Sequence, residues 1–404
     1  MSSNRVVITG MGAATPLGCD TATLWRNIRR GKSAVRQIEL EGIGPICAGT
    51  IDEQYRSRPD RCLTFAVDAA EQALSAALER NSDLACYISA SKGGMAAFEQ
   101  AHSLFLKKGW RGLPENFFEN FLTSSPAVEV SKQLGLGGTN LNFPFACATG
   151  LVSIAVAAEH IHCGRQKAVL AGAAEASVTA LIIAGFNKMK VLSRRTDTPQ
   201  EAMRPFDCTR DGFVIGEGAG AVLMESRNRA TKRAAPILAE VAGWAYGCDH
   251  RNMVGLGGDC ELLSKIIAAA IKKAEIKPRD IDYINVHGTA TVENDIFETN
   301  AIKKALGSAA HSVAISSTKP FTCHLLGASG AVETVITVLA MNDDYIPPTL
   351  NLHRPDPGCD LNYTPLIGVR KRIRHALVLN YGFGGHMAAL VLRKIGRKAF
   401  LEKR

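Results

Sequence analysis

Three residues in this chain have the type and setting of a reactive centre. Cys147 lies in Asn142-Phe-Pro-Phe-Ala-Cys-Ala-Thr-Gly150, a strand-like apolar entry followed by Leu151, Ile154, Ala158 and Ile161 at helical spacing. A thiol near a helix N-terminus meets unsatisfied N–H groups and the positive end of the helix dipole, both of which favour the thiolate. A small residue at a strand-to-helix turn produces the same pattern, so Cys147 alone does not define a site. His287, in Ile284-Asn-Val-His-Gly-Thr-Ala-Thr291, and His324, in Ser316-Ser-Thr-Lys-Pro-Phe-Thr-Cys-His-Leu-Leu-Gly-Ala-Ser-Gly330, also follow strand-like runs. Reactive groups gather at the carboxyl ends of strands in open α/β sheets, so one cysteine and two histidines at three such ends make a coherent site. The glycine-rich Asn380-Tyr-Gly-Phe-Gly-Gly385 adds a turn, a plain hairpin or one whose N–H groups approach a ligand as an oxyanion hole. His160 and His162, on the polar side of the helix after Cys147, read as surface residues.

The elements that must hold these residues alternate between strand and helix. Strand-like runs occupy Arg5 to Gly10, Lys167 to Gly172, Ala219 to Glu225, Ile237 to Tyr246, Ile281 to Val286 and Met387 to Arg393. Helical patterns occupy Phe65 to Arg80, Leu151 to His162, Cys260 to Ala274 and Ala331 to Met341. The alternation predicts an α/β protein with mostly parallel sheets. A weak internal echo predicts a duplication, with residues 1–235 carrying the cysteine and residues 236–404 carrying both histidines. Gly10-Met-Gly-Ala-Ala-Thr-Pro-Leu-Gly18 follows a strand, but Thr15 stands where a dinucleotide fingerprint needs its third glycine and Pro16 interrupts the helix start. A tight structural turn is expected there.

Composition narrows the classes. With 404 residues, 46% hydrophobic and 21% charged, the chain can bury a large core. The opening runs directly into a strand without a signal core, and apolar stretches such as Ala176 to Phe186 fall short of the roughly 20 residues that span a bilayer, so a cytoplasmic protein is expected. Eleven cysteines, odd in number and never spaced as Cys-x-x-Cys, argue against zinc ribbons and disulfide frameworks; most are expected to be buried free thiols. The net charge of +9 attracts acidic partners. Dispersed basic residues and 6% aromatic content do not suggest nucleic acid, whereas a small acidic protein would satisfy the same field.

Taken together, the motifs resemble the elongating β-ketoacyl-acyl carrier protein synthases of the thiolase-like fold. The resemblance covers almost the whole chain: Arg5-Val-Val-Ile-Thr-Gly-Met-Gly12, Ala146-Cys-Ala-Thr-Gly150, Leu192-Ser-Arg-Arg195, Arg204-Pro-Phe-Asp207, Arg210-Asp-Gly-Phe-Val-Ile-Gly-Glu-Gly-Ala-Gly220, both histidine motifs and Gly382-Phe-Gly-Gly385. It implies two βαβαβ halves in an αβαβα layering. It also implies a nucleophile at Cys147, an oxyanion hole from the N–H groups of Cys147 and Phe383, and enolate stabilisation by His287 and His324. Lys319 and Glu333 would form a supporting pair, Thr289 and Thr291 would bind the phosphopantetheine arm, and Lys92, Phe186 and Phe383 would line the acyl pocket. The implied partner is an acidic acyl carrier protein that delivers 4'-phosphopantetheine, with no bound cofactor, docking near Lys190 and Arg111. A homodimer, or a heterodimer with a homologous chain-length factor, is expected. A catalytically silent partner of that kind generally loses its nucleophile, which this chain keeps.

Three positions depart from the family pattern. Lys92 stands where long-chain synthases commonly place an aliphatic residue, which points to a short, polar or unsaturated acyl group or to a Lys92 that turns away and pairs with an acid. Cys323 replaces a glycine before His324, and Leu379-Asn380-Tyr381 replaces the common Asn-Ser-Phe, so no metal is expected.

Overall fold

A computed structural model describes residues 4–51, 61–75, 83–251 and 259–395. Its main sheet has nine strands: β1 (Val6–Ala14), β2 (Ala85–Ser89), β3 (Ala168–Glu175), β4 (Gly218–Ser226), β5 (Ala239–Cys248), β6 (Tyr283–Asn285), β7 (Ala314–Ser316), β8 (His375–Gly382) and β9 (His386–Arg393). The spatial order is β7-β6-β8-β9-β5-β1-β4-β3-β2. The seam is a short antiparallel pairing of Val6–Ile8 in β1 with Ala239–Val241 in β5. Moving outward from it, one half reads β1, β4, β3, β2 and then a parallel bridge from Cys86 to Asn140. The other half reads β5, β9, β8, β6, β7 with the same sequence of pairings: antiparallel, antiparallel, parallel, parallel. The repeat suspected from the sequence is therefore repeated in the strand order.

The sheet is not mostly parallel. Among its eight neighbouring pairs, five are antiparallel and three parallel. Alternation of strands and helices implies parallel crossovers, but β8 and β9 are joined by the three-residue turn Phe383–Gly385, which allows only an antiparallel return.

Helices α1 (Arg61–Ser75), α2 (Ser125–Leu134), α3 (Thr149–His162), α4 (Ala180–Met189), α5 (Glu261–Lys273), α6 (Val292–Leu306), α7 (Lys319–Thr322) and α8 (Ser329–Asp343) cover the sheet. The expected helix from Phe65 keeps its register to Ser75, and Ala76 to Arg80 lie outside the described residues. α1 and α2 pack on the outer face of the first half, and α5 packs on β5 and β9 of the second. α3 and α8 touch each other and strands of both halves, which makes them the central layer. Their burial matches that place: ten of the 14 residues of α3 and 12 of the 15 of α8 are buried. A helix buried nearly all round has little amphipathic stripe to show.

Gly10 and Gly12 do not form the expected turn. They lie inside β1, where a Cβ at either would come within 1.9 Å of the carbonyl oxygen of Ala73 or Ala69, so their bareness lets α1 lie close on the strand. The tight turn follows at Thr15–Gly18, closed by reciprocal backbone hydrogen bonds of 3.0 Å. Among the described residues no helix is long and apolar enough to cross a membrane.

Candidate active site

The entry to Cys147 is irregular backbone rather than the expected strand. Polar contacts fix it: Phe143 N–H donates to Ser89 Oγ (3.0 Å), Ala90 N–H to Asn142 Oδ1 (3.3 Å) and Phe145 N–H to Thr149 Oγ1 (2.9 Å). The chain then reverses at Ala146 with φ of +47°, a left-handed conformation that costs a residue with a Cβ about 1–3 kcal/mol and persists only where packing enforces it. A 3₁₀ turn, Ala146–Ala148, places Cys147 just ahead of α3.

His287 stands two residues beyond β6. Its N–H and that of Gly288 donate to the two oxygens of Glu298 on α6, at 2.7 and 2.8 Å. Burial raises that carboxyl to about 8, against the pull of the two N–H groups. His324 is not at a strand end, because α7 separates it from β7. It is held instead by a backbone bridge to Ile215, with His324 N–H donating to Val214 O (2.8 Å) and Gly216 N–H to His324 O (2.9 Å). Its Nδ1 lies 2.9 Å from Ser329 Oγ, the first residue of α8. A hydroxyl donating to Nδ1 leaves Nε2 carrying the proton.

The two imidazoles meet edge to face, 5.3 Å between centroids, with Tyr381 packed 4.5 Å from His287 and Phe213 5.1 Å from His324. Burial holds both imidazoles well below their ordinary range, and Lys319 adds to the effect at each. They are therefore neutral donors at neutral pH. Lys319 pairs with Glu333 at 2.5 Å, both fully buried, and Asn380 Nδ2 donates to the other Glu333 oxygen at 2.5 Å. The Cys147 thiol is raised from its ordinary value by burial, with Lys92 and Lys319 pulling it down and Glu175 and Glu333 pushing it up. The thiolate preference expected from a helix start is thus outweighed in the unliganded chain, since removal from water disfavours the charged form.

The Gly382-Phe383-Gly384-Gly385 turn reaches this centre. A Cβ at Gly382 would lie 2.8 Å from Cys147 N and 3.1 Å from its Sγ, so only glycine lets the strand end approach Cys147 this closely. Cys147, His287, His324 and Phe383 all face one cavity of about 350 Å³. Phe186, Thr289 and Thr291 also line it, with the two threonine hydroxyls 3.1 Å apart. Exposed Lys190, Asp211 and Glu293 contribute to the same lining, so its outer part carries both signs of charge.

Two expected residues are not brought to this cavity. Lys92 is absent from its lining; it is half-buried, with Nζ donating to Ser91 Oγ at 2.9 Å rather than to a carboxylate. Arg111 sits in the 3₁₀ turn Gly109–Gly112, its guanidinium 4.6 Å above the Trp110 ring, also outside the lining. His160 and His162 are half-buried rather than surface residues. His160 Nδ1 lies 2.8 Å from Tyr87 OH, and the His162 ring packs edge-on at 5.5 Å from Trp244. All eleven cysteines are free, but only five are buried and Cys163, Cys208 and Cys248 are exposed. Glu298, Ser329 and the Ser91–Glu175 pair were not anticipated, and Gly382 was expected only as one glycine of a turn rather than as a contact of Cys147.

A thiol and two buried imidazoles at one cavity beside a buried ion pair, on two duplicated sheet halves, form the kind of site expected of a thiol-dependent condensing enzyme. Residues 3–230 match the N-terminal domain, and residues 238–353 the C-terminal domain, of beta-ketoacyl synthase. The chain belongs to the beta-ketoacyl synthase family. It is 36% identical to the 3-oxoacyl-[acyl-carrier-protein] synthase 2 of Synechocystis, with 98% of this chain and 99% of the relative covered. Identity with the proteins of that name is 37% in Coxiella burnetii and 38% in Staphylococcus aureus, over 98% of this chain and 100% and 99% of those relatives. Among solved structures, it matches a type II polyketide synthase acyl-carrier protein in complex with its ketosynthase bound to the hexaketide. That match has a TM-score of 0.92 and 35% identity, over 98% of this chain and all of that one. The ishigamide ketosynthase/chain length factor matches at a TM-score of 0.90 and 26% identity, over 98% of this chain and all of that one.

Proposed function

We propose that this chain is a 3-oxoacyl-[acyl-carrier-protein] synthase that extends an acyl thioester on Cys147 by two carbons from malonyl-carrier. The observation that carries the reading is the convergence of the Cys147, His287 and His324 side chains on one cavity beside a buried Lys319–Glu333 pair. In the first half-reaction the Cys147 sulfur attacks the carrier-bound acyl carbon, and the thiol proton leaves with the carrier's pantetheine sulfur. The oxyanion of the tetrahedral intermediate is held by the N–H groups of Cys147 and Phe383. In the second, malonyl-carrier enters past Thr289 and Thr291 and loses carbon dioxide. His287 and His324 donate Nε2–H to the enolate oxygen so formed, and neutral donors in a water-poor cavity suit that charge. The enolate carbon attacks the acyl-enzyme, 3-oxoacyl-carrier departs, and Cys147 recovers a proton from solvent.

The chain works as two duplicated halves, 1–235 supplying the nucleophile and 236–404 both histidines, a division supported by the repeated strand order. The partner is an acidic acyl carrier protein that brings the phosphopantetheine; the +9 net charge and the exposed Lys190 beside the cavity support this. The chain acts in the cytoplasm, as a homodimer or with a homologous chain. The likeness to a ketosynthase with a hexaketide favours a second reading, the ketosynthase subunit of a type II polyketide system paired with a chain-length factor. Incubation with malonyl-carrier and acyl-carrier tests the shared chemistry. The expected product is 3-oxoacyl-carrier, seen by intact mass and abolished by Cys147→Ala; undiminished product from the variant would overturn it.

A further inference from the structure

His386, the first residue of β9, has no part in the mechanism above. It stands directly across the hairpin from Gly382 and is paired on its other side with Cys248 of β5. Opposed residues of an antiparallel pair point to the same face of the sheet. Gly382 turns its Cβ direction toward Cys147, so the His386 side chain lies on the face where the thiol sits. Two contacts fix the ring there. Its centroid is 4.6 Å from that of Phe145, with the planes at 58°, and a Cβ at Gly384 would come within 3.0 Å of its Cδ2 and Nε2. The imidazole is therefore wedged between Phe145 and the Gly382–Gly385 turn, and a bare residue at 384, with φ of +78°, leaves room for it.

Cys147 follows Phe145 by two residues and Phe383 precedes Gly384 by one, so the ring touches both backbone segments that carry the oxyanion donors. The turn is also pinned to β5: Cys248 Sγ donates to Gly384 O at 3.0 Å, and Asp249 N–H donates to Gly385 O at 2.9 Å. Against Phe145 it rests on the imidazole. The Nδ1 atom of His386 is shut off from solvent and has no hydrogen-bond partner among the described residues, so packing rather than a hydrogen bond at that atom orients the ring. Burial also holds this imidazole below its ordinary value, which leaves it uncharged at neutral pH. A flat, uncharged, half-buried ring between two backbone segments is a spacer.

We propose that His386 is a positioning residue whose ring, wedged between Phe145 and Gly384, sets the separation of the Cys147 and Phe383 N–H groups and so the fit of the oxyanion hole. The inference rests on the condensing-enzyme reading and adds a residue to its site. Oxyanion donors act by being fixed before the reaction, about 3 Å from where the charge develops, and losing one costs on the order of 100-fold or more in rate. Removing the ring leaves a void into which its neighbours partly relax, and here the neighbours are the two donor segments.

The test compares two reactions of one sulfur in the full chain. Acylation by hexanoyl-pantetheine passes through a tetrahedral oxyanion, whereas alkylation by iodoacetamide displaces iodide at a saturated carbon and forms none. Both are read as the rate of mass gain on the Cys147 peptide. His386→Ala is expected to lower acylation at saturating thioester by about tenfold, while alkylation stays within about twofold of the wild type. His386→Phe, which returns a flat ring, recovers most of the lost acylation rate. Phe145→Leu, which removes the other side of the contact, lowers the ratio of acylation to alkylation and serves if His386→Ala does not fold. A ratio unchanged in His386→Ala and Phe145→Leu overturns the inference and leaves the condensing-enzyme reading in place. Equal losses of both reactions do the same, because they mark a merely structural role. A wild-type chain that accepts no acyl group from the thioester or from acyl-carrier, although iodoacetamide alkylates Cys147, overturns both.

Discussion

The turn Ala146-Cys147-Ala148 ahead of α3 and the turn Leu326-Gly327-Ala328 ahead of α8 share one backbone: a 3₁₀ turn entered through a left-handed residue, φ +47° at Ala146 and +49° at Leu326. Each is followed by a hydroxyl residue and a glycine, Thr149-Gly150 and Ser329-Gly330, where the two central helices touch. What differs is the middle residue and what it faces. Cys147 faces Gly382 at the end of β8, whereas Gly327 faces Glu175 at the end of β3, where a Cβ would lie 2.7 Å from Glu175 Oε2. The duplication therefore places a bare strand end opposite the thiol and a buried carboxyl opposite the glycine. One elbow is open for a reaction and the other is filled.

Exchanging these features is the strongest way to break the comparison. Gly382→Ala puts a methyl group 2.8–3.1 Å from Cys147 N, Cβ and Sγ. Acyl loading is expected to fall by about 100-fold, since displacing a reacting atom by about 1 Å costs that much; loading within a factor of two of wild type would show that the strand end need not be bare. Gly327→Ala crowds Glu175 and Ser91 in the other elbow and is expected to destabilise the fold by about 1–3 kcal/mol, measured by denaturant unfolding.

The neutral histidines give a smaller, pH-dependent effect. Their protonation is disfavoured in the folded chain but ordinary in the unfolded one, so below about 6.5 the unfolded state takes up protons that the folded state refuses and stability falls with pH. Glu298, raised to about 8, acts in the opposite sense, losing stability as pH rises from the ordinary glutamate range toward 8. Unfolding of wild type and of His287→Asn/His324→Asn at about pH 5 and pH 7.5 separates the two, because the variant keeps Glu298. Its loss of stability on acidification is expected to be shallower, by up to about 1.4 kcal/mol per pH unit for each histidine removed. Parallel curves would mean the histidines are not held neutral.

Cys323 sharpens the comparison at the lowest energy. It precedes His324 with φ of +68° and ψ of 176°, a region that only glycine occupies without strain, and its sulfur fills space left by Gly49 while its Cβ lies against Gly216. Relief of strain and loss of packing oppose each other in Cys323→Gly, and a gain of up to about 1 kcal/mol is expected in the same unfolding measurement. A loss of more than about 1 kcal/mol would assign the thiol a packing role that outweighs its strain.

The side chains that meet at the cavity were legible in sequence because each sits inside a short motif, and the repeat was legible because several of its strands are apolar runs of eight to ten residues. Their supports were not. Glu298 reaches the His287 backbone from a helix eleven residues on, and Ser91 meets Glu175 across 84 positions, contacts that only folding creates. The elbows were invisible for a different reason: alanine and leucine occupy left-handed positions where sequence reading looks for glycine. Strand direction was misread because the hairpin between β8 and β9 and the antiparallel pairing of β4 with β1 and β3 leave no mark on hydrophobic pattern. The Cys147 thiol was placed correctly at a helix start, but the desolvation that raises it comes from neighbours distant in sequence, Gly382 among them.

The most direct test of the open elbow is to locate the acyl group. After incubation with acyl-carrier, peptide mapping of all eleven cysteines is expected to find the acyl adduct on Cys147 alone, although Cys163, Cys208 and Cys248 are the exposed thiols. An adduct that forms on those exposed cysteines while the Cys147 peptide stays unmodified would contradict the account.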